Sequence, residues 1–434
     1  MNKVNQLRNI LHKENCDAYL IPKNDEYFGE YVSKNKDRLK FITGFTGSTG
    51  LALIFKNKSY LFVDGRYTLQ AKNEVNKDFK ICELSKIKPQ QILKRVNKKI
   101  TIGFDPKLFT SNSLKNIITN NLINIRPVKN NLIDKIWKNK SKVKNNKFYL
   151  LEEKYHGENY LYKINKVKKI LKSKNVHYLI CTAVENISWL LNIRGSDSMS
   201  SPLTYGKILF NKNGKIMFFT NMSKLTPQIK KFLKKNIIFL KEELFINHLR
   251  KIKRSRILID KKTCSFYYEK NIHSSNNLIN LDDPIYSLKA IKNKTEINNA
   301  KIAHLFDGIA LTKFIFWLKN NYKKKKITEI SAQKKLEDFK KRQKEYLYPS
   351  FNTISAFGAN GAIVHYRANN KSNKQIKGNN LYLLDSGSQY FYGTTDVTRT
   401  IAIGKISNFQ KKIYSNVLKA HIAVALYKLN KTTL

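Results

Sequence analysis

The sequence predicts an α/β protein: two similar domains in tandem, followed by a third unit of helices and β-runs. Three observations carry this. A chain of 434 residues is too long for one hydrophobic core. Short apolar runs alternate with helical periodicity twice over, across 1–140 and again across 147–283. From Pro284 the pattern changes to a long amphipathic helix and then Gly-punctuated β-runs over 284–434.

In the first domain, Val4, Leu7, Ile10 and Leu11 recur at helical spacing and predict a helix over Val4–Lys13. Asp17–Ile21 is a short buried strand. Phe41–Phe55 holds Gly and Ser turns followed by an apolar strand. Tyr60–Val63 is a strand that runs into Asp64-Gly65-Arg66-Tyr67 and a helix to about Val75. Ile81–Leu84 and Ile100–Phe104 supply further strands, and the polar stretch Lys138–Lys147 reads as a linker. The second domain repeats the plan. Leu161–Leu171 is a helix and His177–Cys181 a strand. A loop around Trp189 follows, then a hairpin of Lys207–Asn211 and Ile216–Thr220 turning at Asn213-Gly214, and a strand at Ile257–Asp260. In the third unit, Lys294–Leu318 is a long helix, and a further helix starts at Ile327-Thr328-Glu329-Ile330 with Thr328 as its N-cap. Ser350–Ser355 and Ala362–Tyr366 read as strands around the Gly358–Gly361 turn, and Phe409–Tyr427 as a last helix.

Composition narrows the function. Hydrophobic residues are 41% of the chain, enough for globular packing. Lys and Arg number 82 against 31 Asp and Glu, a formal charge of +51. Such an excess suits a polyanion-binding protein. It is nevertheless mostly Lys, accompanied by abundant Asn and Ile, and spread along the chain with only short clusters such as Lys323–Lys326. That distribution matches a compositional bias and no specific nucleic-acid partner. Cys16, Cys82, Cys181 and Cys264 are widely spaced, as buried thiols in a reducing compartment would be. The first residues lack the apolar core of a signal peptide, and no run reaches the roughly 18 apolar residues of a membrane span. The expectation is a cytoplasmic protein with no membrane partner.

The chemistry concentrates in Leu381–Gly404, LYLLDSGSQYFYGTTDVTRTIAIG. Two β-runs with a reversal near Phe391-Tyr392-Gly393 place Asp385 and Asp396 within a residue or two of directly opposite each other. Two ionised carboxylates side by side in a strand pair repel and are costly to desolvate. A divalent cation would offset that cost. So would hydrogen bonds from the surrounding Thr and Ser hydroxyls, and spacing alone leaves both open. His365 follows a Gly-rich turn in GANGAIVHYRA, where a structural role and a functional one are both open.

The run SFNTISAFGANGAIVHYRA followed by LLDSGSQYFYGTTDVTRT closely resembles the catalytic domain of Xaa-Pro aminopeptidases (aminopeptidase P), of the pita-bread metallopeptidase fold. DAYLIP, FITGFTGSTG and VDGRYTLQA resemble the first creatinase-type domain of the large three-domain form. ENISWLLNIRGSD resembles its second, and PIYSLKAIKNKTEINNAKIAH the entry to its third. The resemblance implies two tandem creatinase-like α/β domains followed by a partial pita-bread (α+β) catalytic domain. It implies two divalent metal ions, manganese, with Asp385 chelating one and Asp396 bridging both. His365 matches the histidine that contacts substrate and stabilises the tetrahedral intermediate. Arg66 matches a substrate-contacting arginine, acting across a homodimer. The reaction implied is release of the N-terminal residue from peptides with proline second.

The sequence departs from that pattern beyond Asp396. The resemblance implies three further ligands there, a His and then two Glu. No Asp or Glu follows Asp396, Glu345 is the last Glu, and the only later histidine is His421. His421 lies in VLKAHIAVALYKLNKTTL, which resembles the helix preceding the histidine motif. The expectation is a chain that stops midway through the catalytic domain, leaves a sheet edge and apolar helix faces uncovered, holds metal weakly and hydrolyses little alone. Two other readings stand beside it: a truncated pseudoenzyme acting as a dimerisation or peptide-binding module, and a basic nucleic-acid-binding protein.

Overall fold

A computed structural model describes residues 2–141 and 145–428. The chain forms two compact units, Met1–Ala303 with Gln389–Gly393, and His304–Ser388 with Thr394–Leu434. The first unit carries two six-stranded sheets. Strands β1 (Ala18–Pro22), β2 (Leu51–Phe55), β3 (Ser59–Val63), β4 (Lys80–Glu83), β5 (Ile100–Phe104) and β6 (Ile123–Pro127) lie in the order β4-β3-β2-β1-β5-β6. After the short pair β7 (Tyr149–Leu150) and β9 (Ile193–Arg194), the second sheet uses β8 (Tyr178–Cys181), β10 (Lys207–Asn211), β11 (Ile216–Thr220), β12 (Ile237–Lys241), β13 (Arg256–Ile259) and β14 (Asn277–Asn280). Its order is β12-β11-β10-β8-β13-β14.

The two sheets share one topology. In each, the first three strands are antiparallel neighbours and the outer pairings are parallel. Parallel neighbours require crossover helices, which cover the faces and demand near-continuous apolar strands. Leu53, Phe62, Ile102 and Phe104 on one sheet and Ile208, Phe210, Phe218 and Leu258 on the other are accordingly buried. The repeated plan read from the sequence is thus a repeat of strand order. Contacts between the two domains include a stack of Tyr27 on Tyr205 at 4.0 Å and a Tyr27 hydroxyl bond to Glu242 Oε1 at 2.8 Å.

Some local expectations are corrected. Arg38–Thr43 is a helix capped by the Asp37 side chain, where only turns were expected. The segment around Trp189, expected as a loop, forms a helix at Val184–Leu190. Lys163, on the helix Tyr160–Ser173, is buried beneath it. Its Nζ donates to the Trp189 carbonyl at 2.9 Å and to Asn192 Oδ1 at 2.6 Å. Of the expected linker Lys138–Lys147, residues 142–144 lie outside those described.

In the second unit, strands β16 (Ile354–Phe357), β17 (Asn380–Ser386) and β20 (Val397–Ile403) form an antiparallel sheet in the order β16-β17-β20. Between them run β15 (Tyr346–Pro349), before β16, and β18 (Ser388–Tyr390) and β19 (Gly393–Thr394), before β20. Side chains alternate across a strand. Tyr382, Leu384, Ile401 and Ile403 therefore face Phe314, Leu318 and Leu336 of the helices Lys294–Asn321 and Glu329–Lys341. Leu383 packs in the smaller cluster of Ile354, Ala356 and Tyr366. Asp385 shares the alternation of Leu383, away from the helices.

Two expectations fail here. The expected strand Ser350–Ser355 lies further on, at Ile354–Phe357, because Ser350 is tied to the Gly387 and Thr395 carbonyls. A Cβ at Gly387 would run into Ser350 Oγ and the Thr395 carbonyl, so only glycine permits this approach. The expected strand Ala362–Tyr366 is absent. A 3-10 helix at Gly358–Ala362 is followed by turns closed by Ile363 N–H to the Asn360 carbonyl and Tyr366 N–H to the Ile363 carbonyl.

The helix Asn408–Leu426 buries none of its residues, and Phe409, Val417, Val424 and Leu426 are among its exposed apolar side chains. Leu305 and Phe316 are also exposed, and β20 lies at an edge of its sheet.

Candidate functional site

The antiparallel register of β17 and β20 sets Asp385 opposite Thr398 and Ser386 opposite Val397. Asp396 immediately precedes β20, two residues from the Asp385 partner. The two carboxylates are close enough to interact directly. Burial, and then the Asp396 charge, push the Asp385 carboxyl upward, while a hydrogen bond with the Thr398 side chain and the charge of His365 pull it down. Asp385 Oδ1 is buried without a hydrogen-bond partner. A carboxylate oxygen removed from water and left unpaired beside a second acid is unfavourable unless a cation or a shared proton completes it. The Thr398 hydroxyl thus serves Asp385 but leaves Oδ1 without a partner.

His365 joins this pair from the turn after Gly358–Ala362 and not from a strand end. Arg66 lies in the other unit. It sits at the 3-10 turn Gly65–Tyr67, half exposed, with its guanidinium bonded to Asp64 Oδ2 at 2.7 Å. The second unit thus brings together three of the four expected residues: Asp385, Asp396 and His365. Among the described residues, no group of three or more His, Cys, Asp or Glu side chains is arranged to hold a metal ion.

Sequence reading missed two buried charged groups behind this site. Glu329, fully buried, accepts from the backbone N–H of Phe357 at 2.7 Å and of Lys374 at 2.9 Å, and from the Tyr366 hydroxyl at 2.8 Å. Lys340 pairs with Asp307 at 3.2 Å and donates to Ser386 Oγ at 3.2 Å, while Ser388 Oγ donates to the same Asp307 oxygen at 2.5 Å. Their partners lie 26 to 81 residues away, so no local pattern signals them.

Comparison with known proteins fits this geometry. Residues 3–134 and 139–296 each match the creatinase/prolidase N-terminal domain, and residues 298–431 match metallopeptidase family M24. The chain is 33% identical to Xaa-Pro aminopeptidase 1 of Dictyostelium discoideum over 98% of its own length and 71% of that protein. The chain belongs to the Xaa-Pro aminopeptidase family. A second family member, Xaa-Pro aminopeptidase ApepP of Drosophila melanogaster, is 32% identical over 94% of this chain and 68% of its own. The X-prolyl aminopeptidase of Caenorhabditis elegans superposes with a TM-score of 0.86 at 27% identity, covering 92% of this chain and 69% of that one. It is described as a cytosolic enzyme with a di-nuclear active site. The family carries the expected fold: creatinase-type α/β domains ahead of a pita-bread metallopeptidase domain. Among the described residues, no helix is long and apolar enough to cross a membrane.

Proposed function

We propose that this family member acts as a metal-dependent aminopeptidase on peptides with proline in second position, and that Asp385 and Asp396 are its metal ligands. The observation that carries the assignment is the buried, partnerless Asp385 Oδ1 beside Asp396. Hard divalent cations prefer carboxylate oxygens, and manganese, in the pair implied by the family resemblance, suits the site. When bound, such ions lower the pKa of water and polarise a peptide carbonyl.

The chain's own residues do the rest. The two aspartates supply negative charge at a fixed spacing on a rigid strand pair. His365 contacts the substrate and offers a ring N–H to the scissile carbonyl oxygen, where charge develops during attack. Arg66, exposed on the first domain, contacts substrate bound to the partner subunit of a homodimer. A proline amide nitrogen bears no hydrogen, so a site serving X-Pro bonds must not depend on donation from that atom. The cytoplasm is the proposed location, in keeping with four free, buried cysteines.

The test is release of the first residue from an X-Pro peptide with and without Mn²⁺. Release is expected that depends on the metal, is absent on the matching X-Ala peptide, and disappears in Asp396→Asn. Equal cleavage of both peptides, or release indifferent to a chelator, overturns the proposal.

A further inference from the structure

Glu329 occupies an unusual position for a carboxylate. It is the first residue of the helix Glu329–Lys341, is fully buried, and receives its hydrogen bonds almost wholly from one loop. Phe357 N–H, where that loop leaves β16, donates to Oε1 at 2.7 Å. Lys374 N–H, where the loop returns, donates to Oε2 at 2.9 Å. Asn360 Nδ2 lies 2.9 Å from Oε1 and 3.1 Å from Oε2. The Tyr366 hydroxyl lies 2.8 Å from Oε2 and 2.9 Å from the Ser372 carbonyl. The main chain adds to the clamp, since the Glu329 carbonyl accepts from Ser355 Oγ at 2.7 Å and Glu329 N–H donates to the Lys374 carbonyl.

His365 sits between these anchors. Tyr366, its immediate neighbour, is buried with its ring in the cluster of Ile354 and Ala356, and its hydroxyl ends on Glu329. A Gly-rich loop has little conformational preference of its own, so its shape must come from such anchors. Charge-assisted hydrogen bonds from buried donors are the strong kind, and leaving them unmade is costly.

We propose that Glu329 is a positioning residue: it clamps both ends and the middle of the 357–374 loop and so holds His365 beside Asp385 and Asp396. The proposal rests on the reading of His365 as a substrate contact.

The test compares Glu329→Gln, Tyr366→Phe and His365→Ala in the full chain. Glutamine puts an NH₂ where Oε2 accepts from Tyr366 and Lys374, so donors meet a donor. Phenylalanine keeps the ring packing and removes only the hydroxyl, which preserves the fold if Glu329→Gln does not. In ¹³C-histidine spectra, His365→Ala identifies the His365 ring signal. That signal is expected to move toward a solvated imidazole in Glu329→Gln, by a smaller amount in Tyr366→Phe, while the remaining histidine signals stay in place. Mn²⁺ affinity is expected to change less than about twofold, because β17 and β20 are not held by Glu329. In a double-mutant cycle on X-Pro release, Glu329→Gln is expected to cost little once His365 is alanine. An unmoved His365 signal in both variants, or costs that simply add, overturns the proposal. If His365→Ala leaves X-Pro release unchanged while Glu329→Gln still moves the signal, the substrate role of His365 falls and the clamp stands.

Discussion

Replacing Lys340 by alanine is expected to destabilise the second unit by about 3–5 kcal/mol. Lys340 and Asp307 are 2% and 1% exposed at their side chains, so neither charge has recourse to water. Removing the lysine leaves Asp307 buried with only Ser388 Oγ on one oxygen, and Asp307 Oδ2 already has no hydrogen-bond partner. The pair spans three segments: the long helix Lys294–Asn321, the end of the helix Glu329–Lys341, and the Ser386–Ser388 turn that follows Asp385. Its loss therefore frees the end of the strand that carries Asp385 as well as costing stability. Urea unfolding followed by a probe in the second unit measures the effect. Lys340→Met combined with Asp307→Asn is expected to recover most of the loss, since no buried charge then remains. A loss under about 1 kcal/mol in Lys340→Ala contradicts the account.

The second large effect is a pH dependence. Burial, and then the nearby Arg194, push the Lys163 ammonium down from 10.5 to about 7. A lysine whose folded pKa is depressed binds fewer protons folded than unfolded between those values, so stability rises as pH goes from about 7 to about 10.5. Below about 7 the full penalty of burying the charge remains, of order 5 kcal/mol for a shift of this size. The hydrogen bonds to Trp189 and Asn192 offset part of the desolvation without cancelling it. Lys163→Met removes the proton. Melting of both proteins from pH 6 to 10 should show the wild type gaining on the variant as pH rises. Parallel curves exclude the effect.

The tandem domains were legible because alternating apolar runs and helical periods report burial directly. The proximity of Asp385 to Asp396 was legible because they are eleven residues apart on one hairpin, where register follows from local sequence. The setting of His365 differs from the expected strand. Ala-Ile-Val-His-Tyr favours a strand by residue type, yet Glu329, distant in sequence, captures Asn360 and Tyr366 and folds the segment into turns. The helix Arg38–Thr43 was hidden for another reason. Its cap is a single Asp37, and the Gly, Ser and Thr that follow Phe41 favour turns. Arg38 itself is tied to Asp134 and Glu26, partners 96 and 12 residues away. Lys340 and Asp307 are each ordinary on an amphipathic helix, and only tertiary packing makes them a pair.

The central claim is that Asp385 and Asp396 together hold a divalent cation. Titration of Mn²⁺ into the chain, with free Mn²⁺ read by electron paramagnetic resonance, tests it most directly. Saturable uptake is expected in the wild type, and its loss in the Asp385→Asn, Asp396→Asn double variant while the melting temperature is retained. Equal uptake by the wild type and the folded double variant would contradict it.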